Sequence, residues 1–237
     1  MENFYRLSTF NSRYAPPTLF LVECLTLFGR MSDEIYCWGW GKDGQLGHGD
    51  RNSQKSPVKV EMLSNKPISS ISCGGWHSCA LTPNGDVYAW GSGRCGQLGL
   101  GDWASHRVPV LVPDLCGKGV REIACGSFHT CCLLESGSVF SWGCGRDGQL
   151  GHGDYGSPRV PTLLKALEGK VILKIVCGEY HSAALSSSGD VWTWGDGAEG
   201  QLGHDDWKEK VCNSFSMILL CFVIACVLAN LLLCINV

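Results

Sequence analysis

Residues 73–102 read CGGWHSCALTPNGDVYAWGSGRCGQLGLGD, and residues 125–154 repeat them as CGSFHTCCLLESGSVFSWGCGRDGQLGHGD. A third copy, CGEYHSAALSSSGDVWTWGDGAEGQLGHDD, occupies 177–206. Trp-Gly recurs at Trp38, Trp90, Trp142 and Trp194, and Gly-Gln-Leu-Gly begins at Gly44, Gly96, Gly148 and Gly200. Cys-Gly recurs at Cys73, Cys125 and Cys177, and histidine at His77, His129 and His181, every step being 52 residues. Four independent markers on one period define a repeat protein.

Within a period, apolar and small residues alternate with period two before each Trp-Gly, as in Asp86 to Gly91, Ser138 to Gly143 and Asp190 to Gly195. That pattern predicts a half-buried strand. A turn signal precedes each one (Asn84-Gly85, Ser136-Gly137, Ser188-Gly189). Upstream lie a second strand (His77 to Thr82, His129 to Glu135, His181 to Ser186) and a third that ends in Cys-Gly (Ile68 to Cys73, Arg121 to Cys125, Ile172 to Cys177). A proline-bearing fourth segment, at Val58 to Met62, Val108 to Val112 and Val160 to Leu164, reads as an edge strand. Four short antiparallel strands per period predict an all-β fold, a partial β-propeller arc of 52-residue blades.

Composition agrees. Glycine, at 31 of 237 residues, is about twice its average usage, while charged residues make up only 17%. Many tight turns and few long solvated helices follow. A net charge of −3 disfavours nucleic acid as a direct ligand, which needs a clustered basic face. The 15 cysteines are odd in number and contain no CxxC pair, so they read as reduced thiols of a cytoplasmic protein, with the nucleus as the alternative.

The composite CG-x-x-HS…G-x-V-x-x-WG-x-G-x-x-GQLG-x-GD…P closely resembles the regulator of chromosome condensation repeat. The resemblance covers Ile35 to Asp206, about three and a third repeats, and implies a seven-bladed propeller of which this chain holds about half. The repeat blocks start at Ile35, Val87, Val139 and Val191, giving a repeat region 35–210 between a non-repeat segment 1–34 and a tail 211–237. Near its end the pattern departs from the consensus: Asp205 stands where Gly49, Gly101 and Gly153 stand, and Asn213 where Pro57, Pro109 and Pro161 stand.

Several motifs invite chemistry that their context removes. Gly-x-Gly-x-x-Gly occurs from Gly39, Gly91, Gly143 and Gly195, yet Gln-Leu-Gly-x-Gly-Asp follows instead of a helix that could hold a pyrophosphate. Each blade offers one Cys and one His four residues apart, two ligands where structural zinc takes four. Convergence from neighbouring blades would have to cross a whole sheet, so no metal or cofactor is expected, and His77, His129 and His181 read as structural histidines. The His-Ser and His-Thr pairs point to opposite faces of a strand, so no nucleophile is framed by a base and no catalytic residue is expected. Trp38, Trp90, Trp142 and Trp194 read as core or inter-blade packing. Asp50, Asp102, Asp154 and Asp206 read as turn-capping acceptors. One repeated position faces outward: Lys42, Arg94 and Arg146 share a register in the glycine turn, where the fourth copy has Ala198, and three such cations suit an acidic protein partner.

From Met217 to Ile235 the only polar residue is Asn230, which predicts a C-terminal hydrophobic helix and membrane anchoring through that segment. Terminal sheets with open edges predict self-association. The expected function is a non-enzymatic protein-interaction or regulatory module. What the resemblance adds as alternatives is guanine-nucleotide exchange on a small GTPase, or a fragment of a multidomain regulator such as a ubiquitin ligase. Exchange is opposed by the unbroken spacing from Trp38 to Trp194, which leaves no room for the inserted β-wedge that the family's exchanger uses.

Overall fold

In a computed structural model, residues 34–204 and 207–216 are described, the side chains only as far as 211. Fourteen strands appear among them: β1 (Tyr36–Gly39), β2 (Gln54–Lys59), β3 (Ser70–Cys73), β4 (His77–Leu81), β5 (Val87–Gly91), β6 (His106–Leu111), β7 (Val120–Cys125), β8 (His129–Leu134), β9 (Val139–Gly143), β10 (Thr162–Leu163), β11 (Ile172–Cys177), β12 (His181–Ser186), β13 (Val191–Gly195) and β14 (Lys210–Ser216). They form three four-stranded antiparallel meanders, β3–β6, β7–β10 and β11–β14, and one two-stranded sheet, β1–β2. Each meander is a blade. The first strands β3, β7 and β11 pack beside one another and so form the inner rim of the arc. Blades begin at the strand before the repeated histidine, so each repeat block that starts at Ile35, Val87, Val139 or Val191 holds the outer half of one blade and the inner half of the next.

The core lies between blades, not within them. One apolar cluster joins Leu81, Val87 and Leu98 of the β3–β6 blade to Ile123, Cys132 and Trp142 of the β7–β10 blade. A second joins Leu133, Val139 and Leu164 to Ile175, Ala184 and Trp194 of the blade after it. A third packs Cys37, Leu46 and Val60 against Ala80 and Trp90. A sheet one strand-layer thick has two faces to bury, and each neighbour covers one. Strand β8, with a described blade on either side, is buried along its whole length, whereas β12 alternates half-buried and buried residues.

Gly-Gln-Leu-Gly is the piece that fits one blade to the next. Trp90 Nε1 donates to the Gln45 carbonyl at 2.8 Å, Trp142 Nε1 to that of Gln97 at 3.0 Å and Trp194 Nε1 to that of Gln149 at 2.8 Å. The same three carbonyls accept from Ser78 Oγ, Thr130 Oγ1 and Ser182 Oγ at 2.8–2.9 Å. The glutamine side chains turn inward, and Oε1 of Gln45, Gln97 and Gln149 accepts the backbone N–H two residues earlier. The last glycine lies under the indole: Gly99 has φ +73, and a Cβ there would come 2.8 Å from Trp142 Nε1. Only glycine satisfies both the left-handed backbone and the close approach. Trp38 is half-buried, since the described residues place no preceding sheet against it.

Two further features recur every 52 residues. Single 3-10 turns, Glu61–Leu63, Pro113–Leu115 and Lys165–Leu167, follow the fourth strands and bury Leu63, Leu115 and Leu167. Lys66, Lys118 and Lys170 each lie over an aromatic ring, those of Tyr88, Phe140 and Trp192, at 4.5–5.2 Å.

The fourth strands depart from expectation in position and length. β2 and β6 begin two to four residues earlier than the proline-bearing segments suggested, and β10 keeps only two residues. Its short length follows from Pro158, which stands where β6 has His106 and so lacks an N–H. β14 crosses the expected boundary at 210/211 in full register, with Gly195 opposite Lys210 and Thr193 opposite Ser214, as Gly91 is opposite His106 and Ala89 opposite Val110. Strand pairing uses backbone groups, and Asn213 in place of proline only restores a donor. The expected hydrophobic helix Met217–Ile235 lies outside the described residues, and among those described no helix is long and apolar enough to cross a membrane.

Trp142→Phe should keep most of the apolar contact but leave the Gln97 carbonyl one donor short, costing about 1–2 kcal/mol in urea unfolding. Gly99→Ala should cost more, because strain at positive φ and collision with the indole act together. Equal stability of Gly99→Ala and wild type would refute this account of the junction.

Candidate functional site

In a meander whose inner strand comes first, the β3–β4 and β5–β6 connections emerge on one face, together with their counterparts in the other blades. The short connections, residues 73–77, 125–129 and 177–181, are cross-linked from blade to blade: Gly75 N donates to Gly126 O and Ser127 N to Glu179 O, both at 3.3 Å. They carry Trp76, Phe128 and Tyr180, half-buried and stacked in a row with centroids 5.9 and 6.3 Å apart and planes inclined by 20° and 22°. The aromatic that precedes each repeated histidine in the sequence thus forms one row on the inner rim.

The long connections hold the expected loop tips. Lys42, Arg94 and Arg146 are exposed in equivalent positions after β1, β5 and β9, as is Ala198 after β13. Arg94 lies 4.0 Å from Asp43 of the preceding loop, with its own side chain 76% exposed. An ion pair so exposed contributes little stability. The basic arc is therefore interleaved with acid: Asp43, Asp147 and Glu199 follow Lys42, Arg146 and Ala198 directly.

The repeated aspartates cap turns as their spacing implied, with Oδ1 of Asp50, Asp102 and Asp154 accepting the backbone N–H two residues on at 2.8–2.9 Å. That bond from the Asn52 backbone, then the one from its side chain, holds the Asp50 carboxyl below its ordinary range.

The histidines form a relay that crosses the blade junctions. His77 Nε2 meets Thr130 Oγ1 at 2.7 Å, and His129 Nε2 meets Ser182 Oγ at 2.8 Å. Each hydroxyl gives its single proton to a glutamine carbonyl. It must therefore accept from the imidazole, so Nε2 of both rings carries a proton and donates it. His77 and Ser78 indeed face opposite neighbours, one bonding forward and one back.

One expectation is corrected: metal-ligating atoms of neighbouring blades do converge. His77 and Cys79 of β4 meet Cys125 of β7, and His129 and Cys131 of β8 meet Cys177 of β11, all ligand atoms of each group within 4.8 Å. Cys79 and Cys131, not the expected Cys73 with its own blade's His77, complete the groups, because Sγ at the end of an inner strand reaches across the inter-blade gap. The donor set still does not suit a metal. There are three donors where tetrahedral zinc takes four. Nε2 is committed to the relay, and Nδ1 of His77 and of His129 has no hydrogen-bond partner to orient a metallated ring. Desolvation first, then the neighbouring Cys79 thiol, drives the Cys125 thiol well above its ordinary value, which opposes the thiolate a metal requires.

A family model described as the RCC1-like domain matches residues 23–226. The E3 ubiquitin-protein ligase HERC2 of Homo sapiens is 43% identical over 185 residues, which are 77% of this chain and 4% of HERC2. The ultraviolet-B receptor UVR8 of Arabidopsis thaliana is 38% identical over 178 residues, 75% of this chain and 40% of the receptor. The chain thus spans well under half the length of these relatives. Prp20p from Saccharomyces cerevisiae, whose structure is described together with its binding properties to Gsp1p and histones, superposes with a TM-score of 0.67 at 22% identity, over 77% of this chain and 46% of that one.

Burial, and then the nearby His77 and His181, hold the His129 imidazolium down to about 3. Since an unfolded histidine titrates near ~6.5, the unfolded chain takes the proton first. The stability that neutral His129 contributes is complete above that pH and is lost as pH falls toward 3. Between pH 7 and 5 we expect a loss of about 2 kcal/mol from this group, read as a falling urea midpoint. In His129→Gln, less stable at pH 7, the slope should be shallower.

Proposed function

The chain belongs to the RCC1-like domain family, and from that premise we propose that it is a non-catalytic interaction module whose loop face holds a protein partner. The observation that carries this reading is how the repeated polar side chains divide. Tryptophan, serine or threonine, histidine and glutamine are spent on the junctions between blades. The positions that vary from blade to blade, such as Lys42, Arg94, Arg146 and Ala198, are the exposed ones. A residue copied into every blade serves the scaffold, and one that differs at a loop tip is free to recognise. The partner surface would take in the half-buried row Trp76, Phe128 and Tyr180 with the alternating charges outside it. Aromatic rings beside arginine are the usual anchors of protein interfaces.

The 43% identity to a segment that is 4% of HERC2 supports a role as the targeting part of a larger regulator, with catalysis resident elsewhere. Nucleotide exchange on a small GTPase is the second reading, favoured by the Gsp1p binding named for Prp20p. The unbroken 52-residue spacing opposes it, and exchange on Ran-like GTPases should stay near background. The reduced thiols of Cys79, Cys125 and Cys132 suit a reducing compartment, cytosol or nucleus.

Photo-crosslinking residues placed at positions 42 and 94 should capture a protein partner from cell extract, while the same residues at Asn84 and Ser136, in turns on the opposite face, should not. The triple charge reversal Lys42→Glu, Arg94→Glu, Arg146→Glu should weaken capture roughly tenfold with unfolding unchanged within about 0.5 kcal/mol per substitution. Crosslinking confined to the opposite face would overturn the assignment.

A further inference from the structure

At each blade junction a glycine N–H clamps the outer segment of the next blade. Gly49 N donates to Arg107 O at 2.9 Å, Gly101 N to Arg159 O at 3.0 Å and Gly153 N to Val211 O at 3.0 Å. The residue two places past each glycine is exposed, Arg51, Trp103 and Tyr155, and Trp207 follows in the same register. Trp103, Tyr155 and Trp207 are 58%, 50% and 73% exposed. Large rings left so open on successive blades add nothing to the core and suit contact with another chain.

The junction at Gly101 differs from its neighbours in two ways. Prolines at 158 and 161 interrupt the fourth strand, so β10 keeps only Thr162–Leu163 where β6 runs His106–Leu111. The bent segment 156–161 borders an open cleft of about 740 Å³, whose walls include Trp103, Val160, Leu163 and Lys165. Arg159 also lines this cleft, with its guanidinium 4.1 Å from the centroid of the Trp103 ring. The junction before has Arg51 and Arg107 in these two positions, and the one after has Tyr155 and Val211, where the Tyr155 hydroxyl donates to Glu209. Among the described residues no carboxylate pairs with Arg159 and no acceptor takes its N–H groups, whereas Arg94 lies beside Asp43 and Arg121 donates to two carbonyls. The indole holds the guanidinium in place and leaves its fork of donors unspent.

We propose that this cleft is a docking site for an extended acidic segment of a partner protein, with a carboxylate on the Arg159 fork and an apolar side chain against Trp103, Val160 and Leu163. Charge selects that occupant. Arg159 and Lys165 face one acid, Asp154, whose Oδ1 already accepts the Gly156 N–H at 2.8 Å. The remaining titratable wall residue, His152, is bonded through Nε2 to Ser141 Oγ at 3.0 Å, and desolvation lowers its pKa, so it stays neutral. A planar guanidinium with free donors matches a carboxylate in bidentate fashion. The cleft is too open to enclose a small molecule and suits a chain that passes through it. Its use rests on the reading of the chain as an interaction module, yet it shares no residue with Lys42, Arg94 or Arg146.

Selection of a random peptide library on the full chain tests the site. Enriched peptides should combine acidic residues with a bulky apolar one, and their affinity should fall as salt rises. A fluorescein-labelled copy of the leading peptide should bind Trp103→Ala and Arg159→Glu at least about tenfold more weakly. Arg159→Lys should recover little, because lysine keeps the charge and loses the planar fork. The triple reversal Lys42→Glu, Arg94→Glu, Arg146→Glu should leave this affinity within about threefold. Both Trp103 and Arg159 are exposed, and circular dichroism with urea midpoints checks that their variants fold. Enrichment of basic or uncharged peptides, no enrichment, or acidic peptides that bind both cleft variants as tightly as wild type would each overturn the site. Acidic peptides lost only in the triple reversal would overturn the cleft and leave the loop-tip reading standing. Binding at the cleft with no crosslinking from positions 42 and 94 would do the reverse.

Discussion

A glutamine carbonyl that accepts two donors from the next blade is the contact on which the rest of this arc depends. Gln97 O receives the Trp142 indole N–H and the Thr130 hydroxyl, and Thr130 in turn accepts from His77. All of these groups are buried, so a missing member would strand a polar atom away from water. The neighbouring apolar cluster cannot close unless the carbonyl, the indole and the glycine beneath it are in place together. That shared requirement explains why tryptophan, glutamine, glycine, serine or threonine and histidine repeat with one period while the residues around them drift.

A fold held by nearest-neighbour junctions is close to one-dimensional. Each blade needs only its neighbours, and its loop tips carry no part of the load. Position 94 and its equivalents are lysine, arginine or alanine, and position 95 and its equivalents aspartate, cysteine or glutamate, without disturbing the junction. Recognition and regulation can therefore diversify on the loop face while the scaffold is copied.

The same logic separates what side-chain spacing marks from what backbone pairing and blade packing build. Cysteines and histidines of different blades were expected to be a sheet apart, yet Cys125 reaches His77 because the inner strands crowd together at the axis, where blades are closest. Asn213 and Asp205 depart from the consensus near position 210, while β14 pairs with β13 as far as Ser216. Side-chain identity marks a repeat, but a ladder is made by backbone groups, which a lost proline does not harm. The shortening of β10, by contrast, follows from a proline visible at position 158.

The sequence alone determined the period, the all-β class, the four strands of a blade and the structural standing of the tryptophans and histidines, because each repeated position records one local geometric demand. It also exposed Lys42, Arg94 and Arg146 as outward positions. Only the tertiary structure decided which residues of different blades meet: tryptophan with a carbonyl 45 residues earlier, histidine with a hydroxyl 53 residues later, and the aromatic rings in one row. Periodicity along a chain fixes spacing in sequence. The rotation from blade to blade, which sets distance in space, is a property of packing between sheets and leaves no mark in any single repeat.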